Sequence, residues 1–446
     1  MGLKLTPKCN FYNIKTQKYR SDFCDGGVMT TASHLPVDRN GFKFFTKDNG
    51  GFTKDNVARL VELASLQAQF WHDMGSTPPR SGDGAVFCSE WVDWMPNYAS
   101  TLSKALVREV GITDKPLAGL KIVLNSGNGS GGFFHQVLLD LGADVSASIH
   151  IEPNGAFPAY VPNPETSIMV DETIQVCETS NADIGIMFDT DADRCGFVVP
   201  RTIAVDGTKS NYEPLNRNRL IALLGVIFGR ASPGCSVVTD SVTSEGLTTF
   251  LQDELGLFHV RYVKGYANVI GKARELTSAG VANAELAIET SGHCAMKENG
   301  YLDDGTYTAV KVVGLLARSK QDQISLLDYI AGMTEMPECG ELRMDVVEGC
   351  STSNVFDVVS LAVEQLCATQ GQWSLDPENL EGVRVRDGHG GFFMLRKSLH
   401  DPLISLQYEG TSRDEIRNVL IDPMLNIFRG DPVISQSLNL SPLEAY

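Results

Sequence analysis

The chain repeatedly passes from a short, unbroken apolar run into a turn of small residues and then into helix-period patterning. Leu120 to Asn125 (LKIVLN) leads into Gly127 to Gly132 and on to Phe133 to Leu141. Cys235 to Asp240 (CSVVTD) leads into Ser241 to Gly246 and on to Leu247 to Leu255. Apolar runs of that length without polar alternation fit strands buried on both faces, and a following 3.6-residue period fits a helix laid against them. The repetition predicts α/β units. Ile184 to Phe188 (IGIMF) predicts a further buried strand, one that ends on a cluster of acids. Leu220 to Gly229 (LIALLGVIFG) falls well short of the ~20 apolar residues of a membrane span and predicts a buried helix.

Length turns these units into domains. At 446 residues the chain exceeds one hydrophobic core and suits several units of roughly 100 to 150 residues each. Composition marks three joints: the Trp-rich stretch Glu90 to Ala105, the polar run Asp206 to Arg219, and Met333 to Gly340. They give an expected division into residues 1–105, 106–212, 213–337 and 338–446. The last part mixes strand and helix signals and reads as a smaller α+β unit. No low-complexity segment or short-period repeat interrupts the pattern.

Charge narrows the partners. A formal net charge of −18 would repel nucleic acid and anionic membrane surfaces at long range, so neither is expected as a partner. A small anionic substrate would then need a local basic pocket. The ten cysteines are scattered without C-x-x-C or zinc spacing, which fits reduced core thiols in a soluble intracellular protein. The opening MGLKLTPKCNFYNIK has neither an apolar signal core nor a transit-peptide composition.

The sharpest chemical signal is Asp189-Thr190-Asp191-Ala192-Asp193-Arg194 at the end of IGIMF. Carboxylates on alternate residues of a tight loop converge as hard oxygen ligands for a Mg²⁺-like cation, and without one they would repel each other. An EF-hand is excluded, because its sixth and twelfth positions would be Arg194 and Pro200 instead of Gly and Glu. A solvated acidic turn is the plain alternative. The second signal, Thr30-Thr31-Ala32-Ser33-His34-Leu35-Pro36, lets a serine stand clear where its oxygen can carry a phosphoryl group. An ordinary Ser/Thr turn is its alternative. No G-x-S-x-G elbow surrounds it.

Gly127-Asn128-Gly129-Ser130-Gly131-Gly132 satisfies G-x-G-x-x-G between a strand and a helix, with Glu152 twenty residues beyond, and so permits a dinucleotide reading. A tight structural turn accounts for the same glycines. Two further turns carry polar groups. Glu289-Thr290-Ser291-Gly292-His293 suits sugar hydroxyls. Arg396-Lys397-Ser398-Leu399-His400-Asp401-Pro402 offers a cationic fork for phosphate.

Taken together and in this order, TASHLP, DTDADR, ETSGH and RKSLHDP resemble the four functional loops of the α-D-phosphohexomutase (phosphoglucomutase/phosphomannomutase) family, from about residue 3 to the C-terminus. The resemblance implies three similar α/β domains, the first incomplete, and a smaller α+β C-terminal domain around a central cleft. It implies an intramolecular phosphotransferase that interconverts hexose 1-phosphate and hexose 6-phosphate, of glucose or mannose, through a phosphoserine and a bisphosphate intermediate. Ser33 would be the phosphoryl carrier, His34 its neighbour, and Lys43 the lysine near the reacting oxygens. Asp189, Asp191 and Asp193 would hold Mg²⁺ together with the Ser33 phosphate, and Arg194 would steady that phosphate. Glu289 and Ser291 would grip sugar hydroxyls, with His293 an acid/base. Lys264 and Gly265 would also bind substrate, Lys264-Gly265-Tyr266 and Asp303-Asp304-Gly305 fit further family blocks, and Arg396, Ser398 and His400 would bind phosphate. The expected activator is a hexose 1,6-bisphosphate, and the expected assembly a monomer or weak homo-oligomer.

Two departures from the family pattern carry their own expectations. Ser33 lies much nearer the N-terminus than in the family, which predicts that the opening half of domain one is missing. Leu399-His400-Asp401 stands where most members have Gly-Thr-Glu, a form associated with relatives in photosynthetic eukaryotes, so the expected location is cytoplasmic or plastid with any targeting segment missing. The competing readings are a non-catalytic sugar-phosphate binder and an NAD-dependent dehydrogenase resting on Gly127 to Gly132.

Overall fold

The computed structural model describes residues 26–31, 40–46, 50–75, 92–320, 324–369, 371, 373–398 and 401–446. Ser33, His34 and His400 lie outside the described residues. The chain forms two compact units, one of residues 1–215 with 292–325, the other of residues 216–291 with 326–446.

The first unit begins with a small antiparallel sheet, β1 (Gly26–Thr30), β2 (Phe42–Thr46) and β3 (Gly50–Gly51), in that order. Alternation along β2 puts Lys43 on the same face as buried Phe45. Helix α1 (Lys54–Asp73) is capped by Thr53 and Asn56, and α2 (Met95–Val110) follows. Next come β4 (Ile122–Asn125), a 3₁₀ turn at Ser130–Phe133, α3 (Phe134–Asp140), α4 (Ser167–Ser180), β5 (Ile184–Phe188), β6 (Cys195–Ile203) and β7 (Lys209–Leu215). The sheet order is β4-β5-β6-β7, parallel between β4 and β5 and antiparallel beyond. Every residue of β4 and β5 is buried, which explains their unbroken apolar sequence.

In the second unit α5 (Asn218–Ala231) buries every residue from Leu220 to Phe228, as its all-round apolar character predicts. Strand β8 (Ser236–Asp240), the short α6 (Glu245–Thr249), β9 (Phe258–Tyr262), α7 (Tyr266–Ser278) and β10 (Ala284–Ile288) follow, with β10, β8 and β9 paired in parallel. The chain then contributes the β11 (Cys294–Met296) and β12 (Leu302–Asp303) hairpin and α8 (Gly305–Ser319) to the first unit. Helix α8 is buried along nearly its whole length, and its Lys311 is paired with Glu109 of α2 at 2.7 Å. The second unit closes with an antiparallel sheet. Its strands are β13 (Glu338–Asp345), β14 (Ser374–Leu375), β15 (Val383–Arg386), β16 (Phe392–Lys397) and β17 (Leu403–Gly410), ordered β13-β17-β16-β15-β14. Helix α9 (Thr352–Thr369) and α10 (Asp422–Gly430) pack on it around Val359, Leu366, Leu406 and Phe428.

Half of the polar run Asp206 to Arg219 is the strand β7. Only Tyr212 and Leu215 of β7 are buried, so its outward residues hide the strand pattern, and the change of unit falls just after it, at Asn216. The next change falls at Leu326, ahead of Met333, where a buried 3₁₀ turn (Leu326–Ile330) already belongs to the second unit. Among the described residues no helix is long and apolar enough to cross a membrane.

Candidate functional site

Strand β5 runs out directly into Asp189, so the acidic loop starts from a rigid, fully buried support. The loop turns tightly. Ala192 takes a left-handed φ of +60°, while Ser130 N–H donates to Thr190 O (2.9 Å) and Gly305 N–H to Ala192 O (3.1 Å). Arg194 folds back on Asp189: its N–H reaches Oδ1 at 3.1 Å and its Nε reaches Oδ2 at 2.9 Å. Arg194 is only 3% exposed, so it acts on the carboxylate beside it.

Carboxylate oxygens of Asp189, Asp191 and Asp193 lie within 4.8 Å of one another, and all three side chains are buried. From β2, Lys43 Nζ reaches Asp193 Oδ2 at 3.0 Å and Asp191 Oδ2 at 3.7 Å. Thr31 Oγ donates to Asp191 Oδ2 at 3.1 Å. On the other side His293 Nδ1 sits 2.8 Å from Asp303 Oδ2 and 3.7 Å from Asp193 Oδ1. Asp303 is itself fixed by the Cys294 N–H.

The electrostatics show a site short of positive charge. Burial, then the neighbouring Asp193 and Asp191 charges, push Asp189 well above the usual carboxylate range, and burial with Asp193 also raises Asp191. Burial opposes ionisation of Asp193 too, but Lys43, His293 and Arg194 outweigh it and hold that carboxyl low. Asp193 Oδ1 is buried without a hydrogen-bond partner. An all-oxygen triplet with an orphaned acceptor fits a hard divalent cation, which would satisfy that oxygen and stabilise all three charges. The acidic cluster can hold a metal ion.

In the second unit Glu289 is buried and accepts the Gly265 N–H at 2.7 Å, with Ser291 Oγ 3.4 Å from its other oxygen. Thr290 is held by Asp240 through both N–H (3.1 Å) and hydroxyl (2.8 Å). Arg396 lies near the end of β16 with Nε buried and unpartnered, and Ser398 Oγ accepts the Asp401 N–H. The ETSGH turn is divided: Glu289 and Ser291 belong to the second unit, His293 to the first.

The glycines of Gly127 to Gly132 are explained by packing. A Cβ on Gly131 would lie 2.6 Å from the Phe188 ring, and one on Gly132 would lie 1.7 Å from Ile151 O. Glu152 is exposed and engages Asn128 through its backbone carbonyl. The tight structural turn thus accounts for the motif, and the turn serves as a brace for the acidic loop. Sequence reasoning gave no role to Thr31 or Asp240, and matched Asp303 only as part of a family block. Thr31 sits beside Ser33 in its motif, and Asp303 and Asp240 each end a short apolar run, which was the only local signal they carried.

Three family models match the chain: phosphoglucomutase/phosphomannomutase alpha/beta/alpha domain I over residues 1–69, domain II over 96–202 and domain III over 216–333. The phosphomannomutase/phosphoglucomutase of Pseudomonas aeruginosa is 27% identical over 407 residues, 90% of this chain and 76% of the relative. The phosphoglucomutase of Neisseria meningitidis is 25% identical over 437 residues, 94% of this chain and 80% of the relative. A solved phosphoglucomutase/phosphomannomutase family protein from Burkholderia thailandensis shares the fold with a TM-score of 0.69 at 23% identity, over 92% of this chain and 77% of the other. An Aspergillus fumigatus N-acetylphosphoglucosamine mutase, solved with GlcNAc-6P and magnesium, does so with a TM-score of 0.56 at 14% identity, over 91% and 89%. The multi-domain α/β fold and the acidic loop define a phosphohexomutase-type protein, and the chain belongs to the phosphoglucomutase/phosphomannomutase family.

Proposed function

We propose that this chain is a mutase that interconverts hexose 1-phosphate and hexose 6-phosphate, of glucose or mannose, through a phosphoryl group carried on Ser33. The observation that carries the reading is the joining of two loops far apart in sequence. Thr31, two residues before Ser33, bonds Asp191, and Lys43 bonds Asp193, so the ends of the serine turn meet the acidic triplet. Asp189, Asp191 and Asp193 would hold Mg²⁺, which supplies charge neutralisation for a transferring phosphoryl group. Lys43 adds a positive charge at the same oxygens and answers how a chain of net charge −18 takes an anionic substrate. Arg194 orients Asp189, and Asp303 orients the His293 ring for proton transfer to or from a sugar hydroxyl.

The family resemblance gives hydroxyl recognition to Glu289 and Ser291, with Lys264 and Gly265 beside them, and phosphate recognition to Arg396, Ser398 and His400. The unpartnered Arg396 Nε supports the latter. His34 is proposed as the neighbour of the carrier. A hexose 1,6-bisphosphate would load Ser33, and a monomer or weak homo-oligomer would suffice. Of the four-part division, the joints at 212 and 337 are supported by the matched domain ranges, whereas the domain II match begins at residue 96, ahead of the joint at 105. An intracellular setting is supported by the described cysteines, all of which are free thiols.

The test is intact mass and peptide mapping of the purified chain after incubation with glucose 1,6-bisphosphate and Mg²⁺. A phosphate on Ser33 that is lost on adding glucose 1-phosphate or mannose 1-phosphate is the expected result. A folded chain that acquires no phosphate there, or never releases it to a sugar, overturns the proposal.

A further inference from the structure

The turn before α7 is held by two carboxylates from different places. Gly265 N–H donates to Glu289 Oε1 at 2.7 Å. The preceding Lys264 N–H donates at 2.8 Å to Oε1 of Glu381, which lies on the loop between β14 and β15 of the C-terminal sheet. The same Glu381 oxygen accepts the hydroxyl of Ser241, the residue that follows β8. Three residues further along, Arg384 anchors that loop. Its Nη1 donates to Ser241 O at 2.9 Å, its Nη2 to Thr243 O at 2.9 Å and to Glu245 Oε1 at 2.7 Å, and its Nε to Asp376 Oδ2 at 3.0 Å. Arg384 is 2% exposed, so this anchor is part of the core.

We propose that Glu381 is a positioning residue for sugar recognition: by fixing the Lys264–Gly265 turn it fixes, through the Gly265 N–H, the carboxylate of Glu289. The inference rests on the hydroxyl-binding role proposed for Glu289. The two amides lie in successive rigid peptide planes joined at the Lys264 Cα, so only the φ and ψ of Lys264 separate them. Releasing the Lys264 amide from Glu381 frees the φ and ψ of Lys264, so the Gly265 amide is no longer held toward Glu289. Gly265 sits at φ +119° and ψ 122°, a conformation that glycine tolerates and that outside bonds must select. Asp240 holds Thr290 independently, so the loss of Glu381 loosens the Glu289 carboxylate without collapsing the loop.

The experiment uses the full chain with Glu381→Ala, Glu381→Gln and Ser241→Ala. Hydrogen exchange is followed in peptides covering residues 262–266 and 286–291. Loss of one buried acceptor is expected to speed exchange about tenfold in both peptides of Glu381→Ala. Gln keeps an oxygen for both donors, so Glu381→Gln stays near wild type, and Ser241→Ala falls between. Acceleration confined to 262–266, or none at all, overturns the proposal. Should Glu381→Ala not fold, the other two variants decide: exchange at 286–291 identical to wild type in Ser241→Ala overturns it. The paired kinetic readout is KM for glucose 1-phosphate and mannose 1-phosphate. The ratio of the two is expected to shift by roughly threefold or more in Glu381→Ala, because a displaced carboxylate reads epimeric hydroxyls differently. An equal change for both sugars, confined to kcat, overturns it. A wild-type chain that turns over neither sugar defeats the mutase reading, and the exchange data still decide the positioning role.

Discussion

At the scale of the residue, the acidic loop illustrates how one position can hold a site together. Asp193 carries the Lys43 bond, faces His293 and keeps an unpartnered oxygen, so its charge serves the cation and the basic groups at once. Asp193→Asn keeps the shape and removes the charge, and Mg²⁺ affinity, measured by calorimetry, is expected to fall by about tenfold or more. An unchanged affinity would place the ion elsewhere. Lys43→Met should leave metal binding within a few-fold of wild type and slow phosphoryl transfer to a sugar by about 10² or more, read in single turnover of the phosphorylated chain. A rate within threefold of wild type would remove Lys43 from the chemistry. These positions were unequally legible. Asp189, Asp191 and Asp193 could be read because their geometry is local: alternate residues on a tight loop. The hydrogen bond from Thr31 joins positions 160 residues apart, and the pairing of His293 with Asp303 depends on the β11–β12 hairpin, so neither shows in a motif spacing.

At the scale of the element, legibility followed burial. Strands β4, β5 and β8 were readable as apolar runs because both of their faces are covered, and α5 because it is buried all round. Strand β7 was not, since most of its residues point outward. Close packing between elements leaves the weakest trace, usually a lone glycine. Gly305 opens α8 against the acidic loop, where a Cβ would lie 2.7 Å from the Arg194 backbone. Gly305→Ala must push that loop aside and is expected to destabilise by about 1–3 kcal/mol. Gly271, inside α7, meets nothing within 4 Å, so Gly271→Ala is expected to stabilise by roughly 0.5–1 kcal/mol through helix propensity alone. Urea midpoints of the two variants check both signs. A neutral Gly305→Ala would mean that the loop yields, and a fall in Mg²⁺ affinity would then register the displacement of its carboxylates.

At the scale of the whole molecule, stability against pH should be set by opposed buried carboxylates. Asp376 is pulled below the ordinary range: burial opposes its charge, but the Glu378 N–H, Arg386, Arg261 and Arg384 outweigh it. Its contribution is therefore complete above the ordinary carboxylate pKa and is lost as pH falls through the lower folded value. Glu409 goes the other way. Burial raises it to about 7, assisted by Glu245 and Glu335 and only partly countered by Arg384 and Arg217, while Asn218 Nδ2 lies 3.5 Å from its Oε1. The folded chain thus binds this proton more tightly than the unfolded chain, whose glutamates titrate near 4.5. Stability must then fall as pH rises from about 4.5 to about 7, with the full penalty present above that window. Glu409→Gln removes the titration and keeps the side chain's size. It is expected to be more stable than wild type at pH 8 by on the order of 1–3 kcal/mol, with the advantage shrinking as pH is lowered toward 4.5. Denaturant midpoints at pH 5 and pH 8 measure this directly. Curves for the two proteins that run parallel across the window would show that Glu409 is already ionised at no cost, with Arg384 and Arg217 carrying its charge in full.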